Sequence, residues 1–340
     1  MAVVVVACSR PGAELRAATT TTPTTTTRAP TTTTIATTTT AESTTTVPEK
    51  GWLVVQGVGD VNLDPSYIPA LAERGYEWAW SGLDGLFLHD NLTVIALECS
   101  PSALGVAEPK AFTFQCPDGM PEMSTAGVDV TNLGNNHSQD FGKEAMLDGR
   151  QRLLDAGLNP VGTGADATEA TGFARFEIEG WKVAVLGFGG VQPHDGWIAT
   201  TDQPGMADGD TLETMIAAVT AADEWADWIV VAIHWGQELD LEPRPDDVER
   251  TRAMIEVGAD VVFGHHAHRL QPFEIVGDRP VFWGLGNFVW PRITDAGAES
   301  AVGRVVISPG GDINGCLVPV EIESSGHPVL TVEPACDVGL

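Results

Sequence analysis

The chain has 340 residues, of which 47 are acidic and 18 are Lys or Arg, giving a formal net charge of −29. A surface this acidic repels nucleic acid and anionic lipid, so we expect neither as a direct partner. Residues 51–340 are numerous enough to bury a large hydrophobic core as one domain, whereas residues 1–50 differ sharply in composition.

The first fifty residues predict an anchor followed by a stalk. Val5-Val6-Ala7-Cys8 is similar to a bacterial lipobox, in which the cysteine receives lipid; the alternative is a fortuitous apolar tip. Between Thr19 and Thr46, 19 of the 28 residues are Thr, and such a tract buries too little to offset its ordering entropy. We therefore expect lipidation at Cys8, a disordered Thr/Pro-rich stalk, and an exported protein at the cell surface whose only membrane contact is the anchor.

The folded part begins with strands that alternate with helices. Apolar runs rich in β-branched residues predict strands at Leu53–Val58, Thr93–Leu97, Val128–Leu133, Trp228–Ile233 and Ala259–Gly264. Periodic segments predict helices at Lys143–Ala156, at Thr211–Ala226, and up to Val257 with Asp246 or Asp247 as the N-cap. Turn signals predict hairpins of Phe173–Ile178 with Lys182–Phe188 and of Pro272–Val276 with Pro280–Gly284.

The order of these elements predicts the fold class. Alternating strands and helices in the first two-thirds indicate an α/β protein with a largely parallel sheet. The hairpins, and the three or four short strands that we expect after Gly303, indicate a second, mixed or antiparallel sheet. Two sheets packed face to face with helices outside would satisfy both patterns.

Five predicted strands are each followed by side chains that bind metals or transfer protons. These candidates are Asp60, Glu98, Asn136 with His137, His234, and His266 with His268. Carboxylates, an amide oxygen and imidazoles suit Mn, Fe or Zn better than Ca or Mg. Two such ions would share a bridging carboxylate and activate a water molecule. For each residue alone, the alternative is an ordinary turn aspartate or a buried core histidine.

The histidine-rich segment after the last of these strands is the densest part of the pattern. A single alanine separates His266 from His268, and in extended backbone this spacing places both rings on one face. His265 competes with His266 for the same role. His137 suits proton donation to a leaving group, because an imidazole pKa lies near neutral pH. Asn287 is predicted to contact substrate, or alternatively to stabilise its turn.

These motifs resemble those of a known family. In chain order they are Gly59-Asp60, Leu97-Glu98, Asn135-Asn136-His137, His234-Trp235-Gly236, Gly264-His265-His266-Ala267-His268 and Gly284-Leu285-Gly286-Asn287-Phe288. Together they are similar to the CapA-type capsule and poly-γ-glutamate synthesis proteins, a branch of the calcineurin-like metallophosphoesterases. The resemblance implies a two-sheet αββα sandwich with a dinuclear metal site at the strand ends.

The resemblance also implies a role for each motif residue. It makes Asp60 a ligand of the first metal, Glu98 the bridging carboxylate, Asn136 and His234 ligands of the second metal, His266 and His268 ligands of one metal each, and His137 the proton donor. Two positions depart from the superfamily pattern. Asn62 stands where the first motif usually has histidine, and Glu98 replaces an aspartate. Asn62 would offer a weaker oxygen ligand in place of the imidazole.

Three functions agree with these features. The first is a metal-dependent hydrolase or transferase acting on a phosphoester or γ-glutamyl-type amide of a cell-envelope polymer. The second is a non-catalytic structural or export component that works beside membrane-bound capsule synthases. The third is an extracellular nucleotidase or phosphatase.

The cysteines indicate an oxidising compartment. With Cys8 set aside, Cys99, Cys116, Cys316 and Cys336 allow three pairings. We predict the pairs that are near in sequence, Cys99 with Cys116 and Cys316 with Cys336, which require export from the cytosol.

Overall fold

The computed structural model describes residues 49–332. Cys8, Cys336 and all but the last two residues of the predicted anchor and stalk lie outside the described residues, so the lipidation, the stalk and the 50/51 boundary stay predictions. Among residues 49–332, none of the helices combines the length and the apolar character needed to cross a bilayer.

Strands and helices alternate along the described residues as the apolar runs predict. The strands are β1 (Leu53–Val61), β2 (Leu92–Leu97), β3 (Val130–Asn132), β4 (Asn159–Val161), β5 (Thr163–Gly164), β6 (Ala174–Ile178), β7 (Trp181–Gly189), β8 (Gly205–Met206), β9 (Trp228–His234), β10 (Val261–His265), β11 (Phe273–Val276), β12 (Arg279–Phe282), β13 (Asn287–Val289), β14 (Glu299–Ile307), β15 (Ile313–Ile322) and β16 (Pro328–Leu330). The α-helices are α1 (Pro69–Arg74), α2 (Met120–Thr125), α3 (Gly142–Asp155), α4 (Ala167–Ala170), α5 (Leu212–Asp223) and α6 (Pro245–Glu256). Short 3₁₀ turns lie at Tyr76–Leu83, Leu86–Leu88 and Asp195–Trp197.

Two large mixed sheets form the body of the fold. The first has the order β16-β15-β14-β1-β2-β3-β4, with β13 also paired to β1. The second has the order β11-β12-β10-β9-β7-β6, and β5 pairs with β8 in a small separate ribbon. Within the first sheet β1, β2, β3 and β4 are parallel, and within the second β7, β9, β10 and β12 are parallel.

The hydrophobic core has three layers, which makes the fold an αββα sandwich as predicted. Side chains from both sheets meet in the middle layer, where Val55 and Val94 pack with Val230 and Phe263. Outer clusters cover the other face of each sheet, and the second of them contains Met215 of α5 with Met254 of α6. Gly57 lets the sheets approach closely, because a Cβ there would lie 2.4 Å from the ring of Phe263.

Two local predictions are wrong. The strand-rich tail does not form the second sheet: β14, β15 and β16 extend the first sheet through the antiparallel pairing of β1 with β14. Helix α6 is capped by neither aspartate, since Arg244 is its N-cap residue and Pro245 begins the helix. The carboxylate of Asp247 instead accepts two hydrogen bonds from the Arg244 guanidinium, each 2.9 Å long.

Candidate metal centre

The predicted ligands meet at one edge of the sandwich, where the parallel strands of both sheets end. Asp60 is the penultimate residue of β1, Glu98 follows β2, and His234 is the last residue of β9. Gly59 permits this arrangement, because a Cβ there would lie 2.2 Å from the carbonyl oxygen of Gly286. The Asp60 amide donates to that same oxygen at 3.0 Å, which fixes the aspartate at the rim.

Glu98 lies at the middle of the cluster. Its side chain is fully buried, and its Oε1 lies 3.5 Å from His234 Nε2, 3.8 Å from His137 Nε2 and 3.9 Å from His268 Nε2. Neither carboxylate oxygen has a hydrogen-bond partner within residues 49–332. Burial raises the pKa of Glu98 to about 8. A buried carboxylate without partners is costly, and a bound cation would supply the missing interaction.

Two groups of ligating atoms share Glu98. The first is Asp60, Glu98 and His268, the second is Glu98, His234 and His266, and in each group the atoms lie within 4.8 Å of one another. The Oδ1 of Asn136 adjoins the second group, at 2.8 Å from His234 Nε2. One carboxylate common to two groups is the arrangement that a pair of ions requires. The donor set therefore fits divalent metal, and a count of two ions stays a prediction.

Protonation at the centre follows from burial and from opposite charges. Burial lowers the pKa of His234 to about 3, and it holds the pKa of His266 well below its usual value. Both rings are thus neutral, as metal ligands must be. Burial alone would raise the pKa of Asp60, but the hydrogen bond and charge of His268 lower it, so Asp60 is ionised. Burial alone would lower the pKa of His268, but the charge of Glu98, together with the hydrogen bond and charge of Asp60, raises it to about 9.

The histidine-rich segment is a turn rather than the extended strand that the sequence pattern predicted. Strand β10 ends at His265, and the backbone φ is +85° at His266 and +51° at His268, the left-handed region that side chains other than glycine rarely adopt. The turn carries both rings into the centre. The ring of His265 points elsewhere: its Nε2 lies 2.9 Å from Val58 O and its Nδ1 3.2 Å from Ile233 O. The geometry thus favours His266 over His265.

The predicted proton donor has three neighbours that the sequence prediction did not name. His137 Nδ1 lies 2.7 Å from Asp140 Oδ2, and Lys110 Nζ lies 2.5 Å from Asp140 Oδ1. The ring of Phe114 packs over the imidazole with 4.4 Å between centroids. Asp140 was recognisable as a carboxylate three residues after His137, whereas Lys110 and Phe114 lie on a loop with no regular pattern.

Two further positions differ from expectation. The Oδ1 of Asn62, predicted as a weak metal ligand, accepts a hydrogen bond from the Asp64 amide at 2.8 Å. Glu238, which the sequence pattern missed, joins His266 and His268 in a third group whose ligating atoms lie within 4.8 Å of one another. Its position four residues after His234 was the only signal in the sequence.

A cavity of about 280 Å³ opens beside the centre. It is lined by the predicted residues His137, His268 and Asn287, by Glu238, and by aromatic side chains that include Tyr67, Phe112, Phe114 and Trp290. The Oδ1 of Asn287 lies 2.8 Å from His268 Nδ1, so this side chain orients the histidine. Contact between Asn287 and substrate stays a prediction.

One predicted cysteine pair adjoins the centre. Cys99, the residue after Glu98, forms a disulfide with Cys116. Cys316 lies in β15, while its predicted partner Cys336 is outside the described residues, so that pair stays a prediction.

Comparison with known proteins gives consistent results. The chain is 34% identical over 191 residues to the PGA biosynthesis protein CapA of Bacillus subtilis, covering 53% of this chain and 50% of that protein. It is 34% identical over 208 residues to the capsule biosynthesis protein CapA of Bacillus anthracis, covering 60% of this chain and 50% of that protein. The chain thus spans about half the length of the curated relatives it matches.

Among solved structures, the NAD nucleotidase of Haemophilus influenzae superposes on 84% of this chain and 54% of its own, with a TM-score of 0.49 and 13% identity.

The sequence model of a bacterial capsule synthesis protein family matches residues 54–292, which include every candidate metal ligand. The chain therefore belongs to the bacterial capsule synthesis protein family PGA_cap.

Proposed function

We propose that this protein acts in capsule or poly-γ-glutamate synthesis as a metal-dependent hydrolase. The substrate class would be a phosphoester or a γ-glutamyl-type amide of a cell-envelope polymer. Family membership and the names of the two Bacillus relatives support the biological role. The hydrolytic role is supported by the side chains at the strand ends.

The observation that carries the proposal is the environment of Glu98. Its buried carboxylate faces three imidazoles and has no hydrogen-bond partner within the described residues, an arrangement that favours bound cations. Two divalent ions, Mn, Fe or Zn, would be held by Asp60, Glu98, Asn136, His234, His266 and His268. When bound, they supply an activated water molecule and electrostatic stabilisation of the substrate's oxygens.

His137 would transfer the proton. Asp140 accepts the hydrogen bond from its Nδ1, so Nε2 is the atom that remains available to a leaving group. Lys110 pairs with the other oxygen of Asp140 and donates to the carbonyl oxygen of Asn136 at 2.5 Å. These contacts hold the donor beside the predicted ligand Asn136.

The cavity would receive the part of the substrate next to the reacting bond. Phe114 and Trp290 line it with apolar surface, and their rings meet edge to face at 5.7 Å between centroids. Such walls exclude water from one side of the centre, which strengthens the electrostatic interactions there.

The proposal also includes the cellular location of the protein and its protein partners. Lipidation at Cys8 would tether the protein to the membrane, and the Thr/Pro-rich stalk would hold the catalytic part at the cell surface. There it would work beside membrane-bound capsule synthases. Export suits the disulfide between Cys99 and Cys116.

The test is hydrolysis by the full chain, stripped with chelator and then supplied with Mn²⁺. Bis(p-nitrophenyl) phosphate and poly-γ-glutamate serve as substrates. We expect Mn-dependent turnover, lost at least 100-fold in Glu98→Gln because the shared carboxylate is removed. Glu144→Gln, an exposed change of the same kind on α3, is the matched control. Turnover that is indifferent to chelator and to Glu98→Gln would refute the proposal.

One observation favours a non-catalytic export component instead. Asn62 stands where the calcineurin-like metallophosphoesterase pattern usually has an imidazole, and its oxygen is engaged by the Asp64 amide. This alternative predicts tightly bound metal without turnover of any substrate. Hydrolysis of free nucleotides with none of the polymer would select the third function, an extracellular nucleotidase.

A further inference from the structure

We propose that Glu238 is an additional ligand of the metal centre, on the side of His266 and His268 that faces the cavity. This inference rests on the proposed function, because it assumes that the centre binds metal. It assigns a donor outside the six predicted ligands, on a loop rather than at a strand end.

The first support for this assignment is the position of the Glu238 carboxylate. A carboxylate oxygen of Glu238 and ring nitrogens of His266 and His268 lie within 4.8 Å of one another. Glu238 is exposed and lines the cavity, and its carboxylate makes no hydrogen bond or ion pair with any other residue in the range 49–332. The side chain is therefore available to a cation without breaking an existing contact.

The backbone holds this carboxylate in place. The Leu239 amide donates to the carbonyl oxygen of Ala267 at 2.8 Å, and Ala267 is the residue between the two histidines. The loop is held again at the next residue, where Gln271 Nε2 donates to Asp240 O at 3.0 Å. The loop of Glu238 and the histidine turn are thus one hydrogen-bonded unit, so their separation is set by the fold.

Charge at the centre also favours a cation near Glu238. Glu238 shares His266 with the group that contains Glu98, and it shares His268 with the group that contains Asp60 and Glu98. Three carboxylates crowd one rim. A divalent ion between them would relieve this repulsion.

The first motif explains why another donor is useful. Asn62 occupies the position of the usual imidazole, and its oxygen is engaged by the Asp64 amide at 2.8 Å. The group of Asp60, Glu98 and His268 consequently has three donors, fewer than the four to six that Zn, Mn or Fe take. A carboxylate entering from the cavity side beside His268 would raise that number.

The test measures metal binding and not catalysis. The full chain, freed of metal by chelator, is titrated with Mn²⁺ and followed by calorimetry and by the electron paramagnetic resonance signal of free Mn²⁺. We expect Glu238→Gln to bind one ion at least about tenfold more weakly than wild type. Glu242→Gln, an exposed glutamate four residues away on the same loop, removes the same charge and should bind as wild type does.

The outcomes separate this inference from the proposed function. Equal stoichiometry and affinity in Glu238→Gln and Glu242→Gln would overturn the role of Glu238 alone. A wild-type chain that binds no Mn²⁺ would overturn the inference together with the proposed function. Circular dichroism of the metal-free variants shows whether both remain folded, which we expect since both side chains are exposed.

Discussion

His137 Nδ1 lies 2.7 Å from Oδ2 of Asp140, a fully buried carboxylate three residues later in the chain. The other oxygen of Asp140 is 2.5 Å from Lys110 Nζ, which also donates to Asn136 O. With Nδ1 held in this way, Nε2 faces the centre, 3.8 Å from Oε1 of Glu98. The predicted proton donor and a predicted metal ligand are thus held by one network.

Replacing the carboxylate that orients His137 should slow turnover without weakening substrate binding. In Asp140→Asn the amide oxygen still accepts from Nδ1 but carries no charge to stabilise the imidazolium. We expect kcat to fall by about 10²-fold with KM little changed, and the pH profile of kcat to shift. Asp155→Asn, an exposed change on the turn that ends α3, is the control. A kcat equal to that of the control would contradict a positioning role for Asp140.

Bound metal should raise the stability of the folded chain as well as activate hydrolysis. Because the ligands come from strands of both sheets, the unfolded chain lacks the site, and binding to the native state alone raises stability. At Mn²⁺ one hundred times above the dissociation constant, we expect a gain of about 2.7 kcal/mol. For a chain of this size, this gain raises Tm by about 5 °C, and chelator should reverse it.

Glu98→Gln supplies the control for this measurement. Its melting temperature should respond weakly to Mn²⁺, because both groups of ligating atoms lose the negative charge of their shared carboxylate. A wild-type Tm that is insensitive to Mn²⁺ would show that the centre does not hold metal in solution.

Much of the fold was predictable, because local patterns decide it. Strands β1, β2, β9 and β10 coincide with apolar, β-branched runs, and the two hairpins coincide with turn signals. The pairing of β1 with β14 was not predictable in this way. It joins residues about 250 positions apart, so only packing of the whole sheet selects it over a separate second sheet.

The candidate site also contains some residues that could be predicted from the sequence and others that could not. Residues at strand ends, such as Asp60 and His234, could be identified because parallel strands bring their ends to one edge. Lys110 and Glu238 could not, since each lies on an irregular loop whose path depends on tertiary contacts. The turn at His266 was also unpredictable, because its left-handed backbone is imposed by its surroundings and is contrary to local preference.

Breaking the disulfide between Cys99 and Cys116 should lower both stability and activity. The bond closes a loop whose ends are 17 residues apart, which corresponds to about 3 kcal/mol of unfolding free energy. The loop carries Phe114, which packs on His137, and Lys110, which pairs with Asp140. Urea unfolding of the Cys99→Ala/Cys116→Ala variant measures the stability, and kcat reports on the loosened loop.

The effect of reductant on stability is the control for the Cys99→Ala/Cys116→Ala variant. Reductant should lower the unfolding free energy of the wild-type protein more than that of the double variant, which has already lost this bond. If the unfolding free energies of the variant and the wild type differ by less than about 0.5 kcal/mol, the disulfide contributes little to stability.

Asp90 should make the stability of the protein depend on pH. Burial raises its pKa to about 7, despite hydrogen bonds of 2.5 Å from Gln56 Nε2 and Thr93 Oγ1. The nearby carboxylate of Asp129 adds to this rise, while Arg304 opposes it. Between about pH 4 and pH 7 the native state therefore binds a proton that the unfolded chain does not, so stability falls as pH rises through this range.

Asp90→Asn isolates this effect, because the amide cannot ionise. We expect the wild type to lose about 2 to 3 kcal/mol more unfolding free energy than the variant between pH 5 and pH 8, as measured by urea unfolding. Asp155→Asn should follow the wild-type pH dependence, since that side chain is exposed. Parallel pH profiles for wild type and Asp90→Asn would mean that Asp90 is ionised at pH 5 in the native state.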